Sequence, residues 1–274
     1  MSGGLSEDVR VTGVAAGGDG VGRLADGRAV FVRGALPGER VRVTVTEERD
    51  RFARAELAEV LEAAPERTAP PCRQVGAGCG GCDWQHVVPA AQRAFKARIV
   101  TDALRRIGKL EPPEPDLGPE LPATGWRTTV RAVVDGNGRA GFRLHHAHDA
   151  LAVGPEGCLV AHPLVDEILR DGRFPPPVRE VTIRAGTATG ERLVVCSPAV
   201  SAPGPGRLGD DALTDTEVDD PTDGGLRVPD GVTVPEGVTV VGADELAAGH
   251  RAWIHEVVAG RRWRISAESF FQGR

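Results

Sequence analysis

Val9-Arg-Val-Thr-Gly-Val-Ala-Ala-Gly-Gly-Asp-Gly-Val-Gly-Arg-Leu24 opens a region in which short β-rich segments alternate with glycine turns. Strand segments at 9–14, 22–24, 29–32, 41–45 and 53–60 follow one another within residues 8–62. Their valines suit a pleated, half-buried surface, and Gly17-Gly-Asp-Gly20 provides the backbone freedom of a tight turn. Five short strands at such close spacing predict a small closed barrel of the OB-like kind, because closure removes unpaired sheet edges. Barrels of this size often bind oligonucleotides, and pattern alone fits a structural role equally well. Arg28, Arg33, Arg40 and Arg42 read either as an RNA-facing surface or as ordinary solvated cations.

The next segment concentrates chemistry. Cys72-Arg-Gln-Val-Gly-Ala-Gly-Cys79-Gly-Gly-Cys82 places three thiols in eleven residues, on a glycine-rich loop after Pro71. Thiols this close converge on a soft metal ion, an iron–sulfur cluster or each other. The N-terminus has neither the basic nor the apolar region of a signal peptide, which predicts a cytoplasmic location. Cytosolic thiols stay reduced, and five cysteines is an odd number, so metal or cluster ligation is preferred over disulfides. A fourth ligand must come from elsewhere. Cys158 sits in a glycine-bounded turn ahead of a helix, whereas Cys196 ends the apolar run Leu193-Val-Val-Cys196 and reads as a small buried hydrophobe. Zinc sites more often use paired Cys-x2-Cys arms, and three thiols on one loop plus a distant one suit the corners of a [4Fe–4S] cube. The gap of six residues does not fit the Cys-x3-Cys-x2-Cys loop of radical enzymes that use S-adenosylmethionine. His86 reads as a helix cap or local packing residue, with metal ligation as the alternative.

A helix is predicted from about 88 to 107, with Pro89 in its first turn and Gly108 at its stop. Ala91, Phe95, Ile99, Ala103 and Ile107 form its expected buried stripe. Arg93, Lys96, Arg98, Arg105, Arg106 and Lys109 oppose Asp102 alone, a balance that tilts towards a phosphate-facing helix. A Pro/Glu-rich connector occupies 111–123. Beyond it, strands are expected at 126–134, 141–144, 151–153, 178–184, 191–196, 238–241, 252–258 and 262–265, with a helix at 163–170. This is antiparallel α+β material, so the fold class is mixed β and α+β. The expected domains are a barrel at 3–63, a cysteine-loop and helix segment at 64–112, and a central α+β domain at 113–274. Within the last, 201–236 is read as a disordered Pro/Gly/Asp-rich insertion. No glycine-rich strand–loop–helix for a nucleotide or S-adenosylmethionine is found in the sequence.

The net charge of −6 is unevenly spread. Residues 201–250 hold eleven acids and two bases, so the rest keeps 28 of the 39 acids against 31 of the 33 bases, a net +3. The acidic total therefore does not argue against a nucleic-acid partner for the remainder. No apolar run approaches the ~20 residues that cross a bilayer.

Taken together, the barrel, the Cys-Gly-Gly-Cys loop, Gln85-His86 and the basic helix ending Ala103-Leu-Arg-Arg-Ile-Gly108 resemble the S-adenosylmethionine-dependent RNA 5-methyluridine methyltransferases. The barrel resembles their TRAM domain through Gly18-Asp-Gly-Val-Gly-Arg23. Gly125-Trp-Arg-Thr-Thr-Val-Arg131, Gly141-Phe-Arg-Leu144, His148-Asp149 and Cys158 follow in family order, and Ser269-Phe-Phe-Gln272 resembles the family's Ser-Phe-Phe-Gln motif. Gly273-Arg274 depart from that motif's usual continuation.

The resemblance implies a [4Fe–4S] cluster on Cys72, Cys79, Cys82 and Cys158 that orders an RNA-binding surface without redox chemistry. It also implies that Gln272 and Phe270 border the S-adenosyl-L-methionine and target-base pocket. RNA-facing cations are expected at Arg93, Lys96, Arg127 and Arg131. In the family a cysteine thiolate adds to C6 of a flipped-out uracil, C5 takes the methyl group, and a base removes the C5 proton. The nucleophile and the cofactor domain follow the Phe-Phe-Gln motif in that family, so this chain is expected to hold the RNA-recognition part without them and to be inactive alone. The expected partner is RNA, rRNA before tRNA, together with a separate catalytic chain if the enzyme is split. The competing expectations are a non-enzymatic RNA-binding module with a structural zinc site of four cysteines, and a gene remnant that does not fold.

Overall fold

A computed structural model describes residues 6–145, 147, 149–198, 228–269 and 271. The chain divides into two compact units, Met1–Val75 with Cys82–Leu121, and Gly76–Gly81 with Pro122–Arg274.

The first unit carries the expected barrel. Its strands are β1 (Ser6–Val14), β2 (Gly20–Arg23), β3 (Ala29–Arg33), β4 (Arg40–Glu48) and β5 (Phe52–Glu62), closed in the order β1-β2-β3-β5-β4. β3 and β5 pair in parallel and the other neighbours are antiparallel. Alternate residues point inward, so Val9, Val11, Val30, Val32, Val41, Val43, Ala53 and Ala55 fill the interior. The barrel is narrow enough to require glycine: a Cβ on Gly22 would sit 2.4 Å from Val9 Cγ1. Outside, the four arginines singled out from the sequence all meet carboxylates. Arg28 pairs with Asp26 and Glu48, Arg33 with Asp83, Arg40 with Asp8 and Glu62, and Arg42 with Asp8 and Glu59. That arrangement is the solvated-cation alternative rather than an open RNA-facing row.

A single turn α1 (Arg73–Gly76) follows the barrel, then α2 (Pro89–Arg106). The boundaries of α2 agree with the sequence reading, but its packing does not. Only Ala91 of the expected stripe is buried, Phe95 packs beside it, and Ile107 is 84% exposed. The cause is geometric. At about 100° per residue, each four-residue step drifts about 40°, so four steps carry Ile107 to the side of the helix opposite Ala91.

The second unit is a six-stranded sheet, ordered β11 (Val238–Gly242), β10 (Arg192–Ser197), β9 (Glu180–Ala185), β6 (Thr129–Val134), β7 (Ala140–Arg143), β8 (Ala150–Ala152). One face packs α3 (Pro163–Asp171), whose Val165, Ile168 and Leu169 meet Val130, Ala132, Val181, Ile183, Val194 and Phe174. His162 caps α3, its Nδ1 accepting from the Leu164 N–H at 3.3 Å. The other face of β10 and β11 is covered by the hairpin β12 (Trp253–Val258) and β13 (Arg261–Ser266), through Leu193, Val241, Ile254 and Ile265. A short α4 (Ala243–Ala247) follows β11.

The expectation of wholly antiparallel material needs one correction here, because β10 and β11 run parallel. Parallel neighbours need a long return connection, and residues 198–237 intervene. Of the stretch 201–236, residues 228–236 are placed: Thr233 bridges Arg173, and Val232 and Val234 pack against the α3-side core. The remainder of that stretch lies outside the described residues.

Candidate nucleic-acid interface and cysteine loop

In the first unit the arms of the cysteine loop are tied at their base. Arg67 bridges Val87, the Thr68 N–H donates to the His86 carbonyl at 2.9 Å, and the Val88 N–H to the Glu66 carbonyl at 2.9 Å. Trp84 fixes the loop to the barrel turn, its Nε1–H donating to the Gly18 carbonyl at 3.0 Å, and its ring meets Phe95 edge-on at 6.0 Å. Beneath lies Glu39, wholly buried. Its carboxylate accepts from Arg67 Nε at 2.5 Å and Nη2 at 2.8 Å, and from the Leu36 and Ala64 N–H groups. Burial pushes the Glu39 carboxyl up, but the Arg67 hydrogen bond and charge and the two backbone donors outweigh it, leaving it below its ordinary value. The Cys72 N–H donates to Gln85 Oε1 at 3.1 Å, which gives Gln85 a loop-bracing role. Burial first, then Arg67, hold the His86 imidazole below its usual range.

In the second unit, Gly76–Gly81 lies along the C-terminal end of β7. Cys79 bridges Leu144, the Gly80 N–H donates to the Arg143 carbonyl at 2.9 Å, and the His145 N–H to Gly78 at 3.1 Å. Gly80 is required there, since a Cβ would sit 2.7 Å from the Arg143 carbonyl oxygen. Cys158 is held by its N–H donating to Asp166 Oδ1 at 2.6 Å. That carboxylate of α3 would collide with any side chain at Gly157, at 2.3 Å.

All five cysteines are thiols outside any disulfide. Cys72 and Cys82 belong to the first unit, Cys79 and Cys158 to the second, and all four are half-buried. Cys196 differs: it is buried in β10, and burial pushes its thiol up to about 12, which excludes a reactive thiolate. Four sulfur donors that are not sealed from solvent are chemically suited to a soft metal or an iron–sulfur cluster. Among the described residues, however, no group of three or more His, Cys, Asp or Glu side chains is drawn together as a metal-binding set.

The cations expected to face RNA occupy different surroundings. On α2, Lys96 is exposed, and Arg93 is turned into the connector, donating from Nη2 to the Gly118 carbonyl at 2.5 Å. Arg127 stacks over the Trp126 ring at 5.1 Å and donates to the Gly81 carbonyl at 2.8 Å. Arg131 is exposed on β6, 3.6 Å from Glu180 Oε1. Phe270 and Gln272 lie outside the described residues, and Phe271 packs against the hairpin core.

Residues 4–58 match the TRAM domain family. The chain is also similar to proteins named as RNA methyltransferases. It is 35% identical to a Streptomyces avermitilis protein named an uncharacterized RNA methyltransferase, over 97% of this chain and 59% of that protein. It is 41% identical over 174 residues to the 23S rRNA (uracil(1939)-C(5))-methyltransferase RlmD of Halomonas elongata, covering 62% of this chain and 34% of that enzyme. The fold is similar to that of Pyrococcus abyssi tRNA (uracil-54, C5)-methyltransferase, solved with S-adenosyl-L-homocysteine. The TM-score is 0.54 at 18% identity, over 96% of this chain and 61% of that one. The chain thus spans about three-fifths of the length of its nearly end-to-end matches. The expected absence of a cofactor domain finds no support in these comparisons. No helix of the described residues is long and apolar enough to cross a membrane.

Proposed function

We propose that this chain serves RNA recognition in an S-adenosyl-L-methionine-dependent RNA uracil-C5 methyltransferase. The observation that carries the reading is the 41% identity over 174 residues to a protein named for that reaction. The TRAM barrel and the exposed cations of α2 and β6 support it. Ribosomal RNA is preferred over tRNA, because the tRNA-modifying neighbour shares the fold at only 18% identity.

Cys72, Cys79, Cys82 and Cys158 are proposed to hold a [4Fe–4S] cluster. Support comes from their partial exposure and thiol state, in contrast to sealed Cys196. S-adenosyl-L-methionine supplies the methyl group when bound; the chain's own residues bind and orient the RNA. Gln272 and Phe270 are proposed to border the S-adenosyl-L-methionine and target-base pocket. A cytoplasmic location is part of the same proposal.

RNA binding by the purified chain tests the recognition role. A short uridine-containing single-stranded RNA should bind with an affinity that falls steeply and log-linearly with KCl, because phosphate contacts release counterions. Absence of RNA binding at low salt would remove the role assigned to these residues.

A further inference from the structure

Arg184, on β9, breaks a general rule of protein interiors. It is only 8% exposed, yet among the described residues its side chain has no hydrogen bond and no ion pair, and its Nε is sealed from solvent without a partner. Buried cations are ordinarily paired, because an uncompensated charge in low dielectric is costly. Burial, and then the like charge of Arg131, hold this guanidinium below its ordinary value.

The register shows why no internal partner is at hand. Arg184 lies opposite Thr129 of β6 and Leu193 of β10, on the face away from α3. On that face the β12–β13 hairpin covers β10 and β11, while Thr129 and Arg131 of β6 stay exposed. Arg131 lies opposite Thr182 and is therefore the diagonal neighbour of Arg184, about 7–8 Å away by strand geometry. Glu180 is four residues further along β9, roughly 13 Å from Arg184, and its carboxylate is directed to Arg131. Arg143 of β7 continues the same face, since Gly141 opposes Val133. Three arginines thus step across three neighbouring strands, and the most buried of them has no acid.

We propose that Arg184, recessed beside the exposed Arg131, is a phosphate-binding site on this sheet face, and that its ligand is a phosphodiester of RNA. The assignment rests on the RNA-recognition reading above. A guanidinium presents paired N–H donors that match phosphate oxygens, and a partly desolvated one binds them more strongly than a surface lysine does. The isolated chain then carries an uncompensated charge that only the ligand neutralises.

That condition gives a signature a structural arginine would not produce. In Arg184→Met, anisotropy titrations with a short uridine-containing RNA over a KCl series should show about tenfold weaker binding and a salt slope lower by about one. The same variant should melt at a higher temperature than wild type, because an unpaired buried charge has been removed. Arg184→Lys should retain part of the salt slope. Unchanged RNA affinity in Arg184→Met overturns the site while leaving RNA recognition intact. A lowered melting temperature also overturns it, by making Arg184 a structural residue. Thermal stabilisation by inorganic phosphate that is lost in Arg184→Met, with RNA binding unaffected, would assign a small-anion site and overturn the RNA ligand. A wild type that binds no RNA removes the broader reading and this site with it.

Discussion

Replacing Arg67 with methionine is expected to destabilise the TRAM-containing unit by about 3–5 kcal/mol at neutral pH. Glu39 is wholly buried and Arg67 is its only ionic partner among the described residues, bound through two nitrogens. Removing the guanidinium leaves a carboxylate with two backbone donors and no counter-charge, besides depriving the Gly34 carbonyl of its 2.6 Å donor. The effect should depend on pH in a defined direction. Glu39's folded-state value lies below its unfolded one, so the stability it contributes is present above the ordinary carboxylate range and is lost as pH falls through the folded value. In Arg67→Met the carboxyl value should rise, and the gap between variant and wild type should begin to narrow as pH falls through that raised value, where Glu39 takes up a proton in the variant before it does in wild type. Chemical denaturation from pH 7 down to pH 4 checks both points. An Arg67→Met chain as stable as wild type at neutral pH would show that the pair does not hold the barrel to the cysteine-loop base.

The second large effect concerns the thiols. Cys158→Ser should lose the iron and acid-labile sulfide of anaerobically purified protein, together with a cooperative part of its thermal stability, since ligand loss and folding are coupled in such sites. Cys196→Ser should keep its iron, because that thiol is buried in β10 and pushed up to about 12. Broad absorbance near ~400 nm with sulfide supports the cluster, whereas stoichiometric zinc without sulfide assigns the alternative zinc site of four cysteines. Loss of iron from the Cys196 variant instead of the Cys158 variant would reverse the ligand assignment.

Much of this architecture is legible in the residues. Val9/Val11 and Val41/Val43/Val45 alternate with polar positions, and that period alone specifies strands with one face inward. Pro89 and Gly108 bracket α2 to within a residue or two, as capping physics predicts. Cys196 declares itself buried through its apolar run. Other features depend on three-dimensional register and escape a linear reading. The stripe from Ala91 to Ile107 fails because four-residue steps drift around the helix. The parallel pairing of β10 and β11 is hidden by the long acidic stretch between them. Trp84's bond to Gly18 and the burial of Glu39 link segments far apart in sequence. Arg184 in Val181-Thr-Ile-Arg-Ala185 occupies the polar phase of a strand and reads as a surface residue. Only the pairing of β6 with β9 reveals that Arg131 is its neighbour.

The proposed function places this chain in the machinery that methylates uracil C5 in RNA. Mass-spectrometric analysis of rRNA and tRNA, from cells of the encoding organism with and without an intact gene, tests it most directly. Disruption is expected to remove one 5-methyluridine from 23S rRNA and to leave tRNA unchanged. Loss from tRNA would keep the reaction and overturn the RNA class. Unchanged 5-methyluridine in both RNAs would overturn the proposed function.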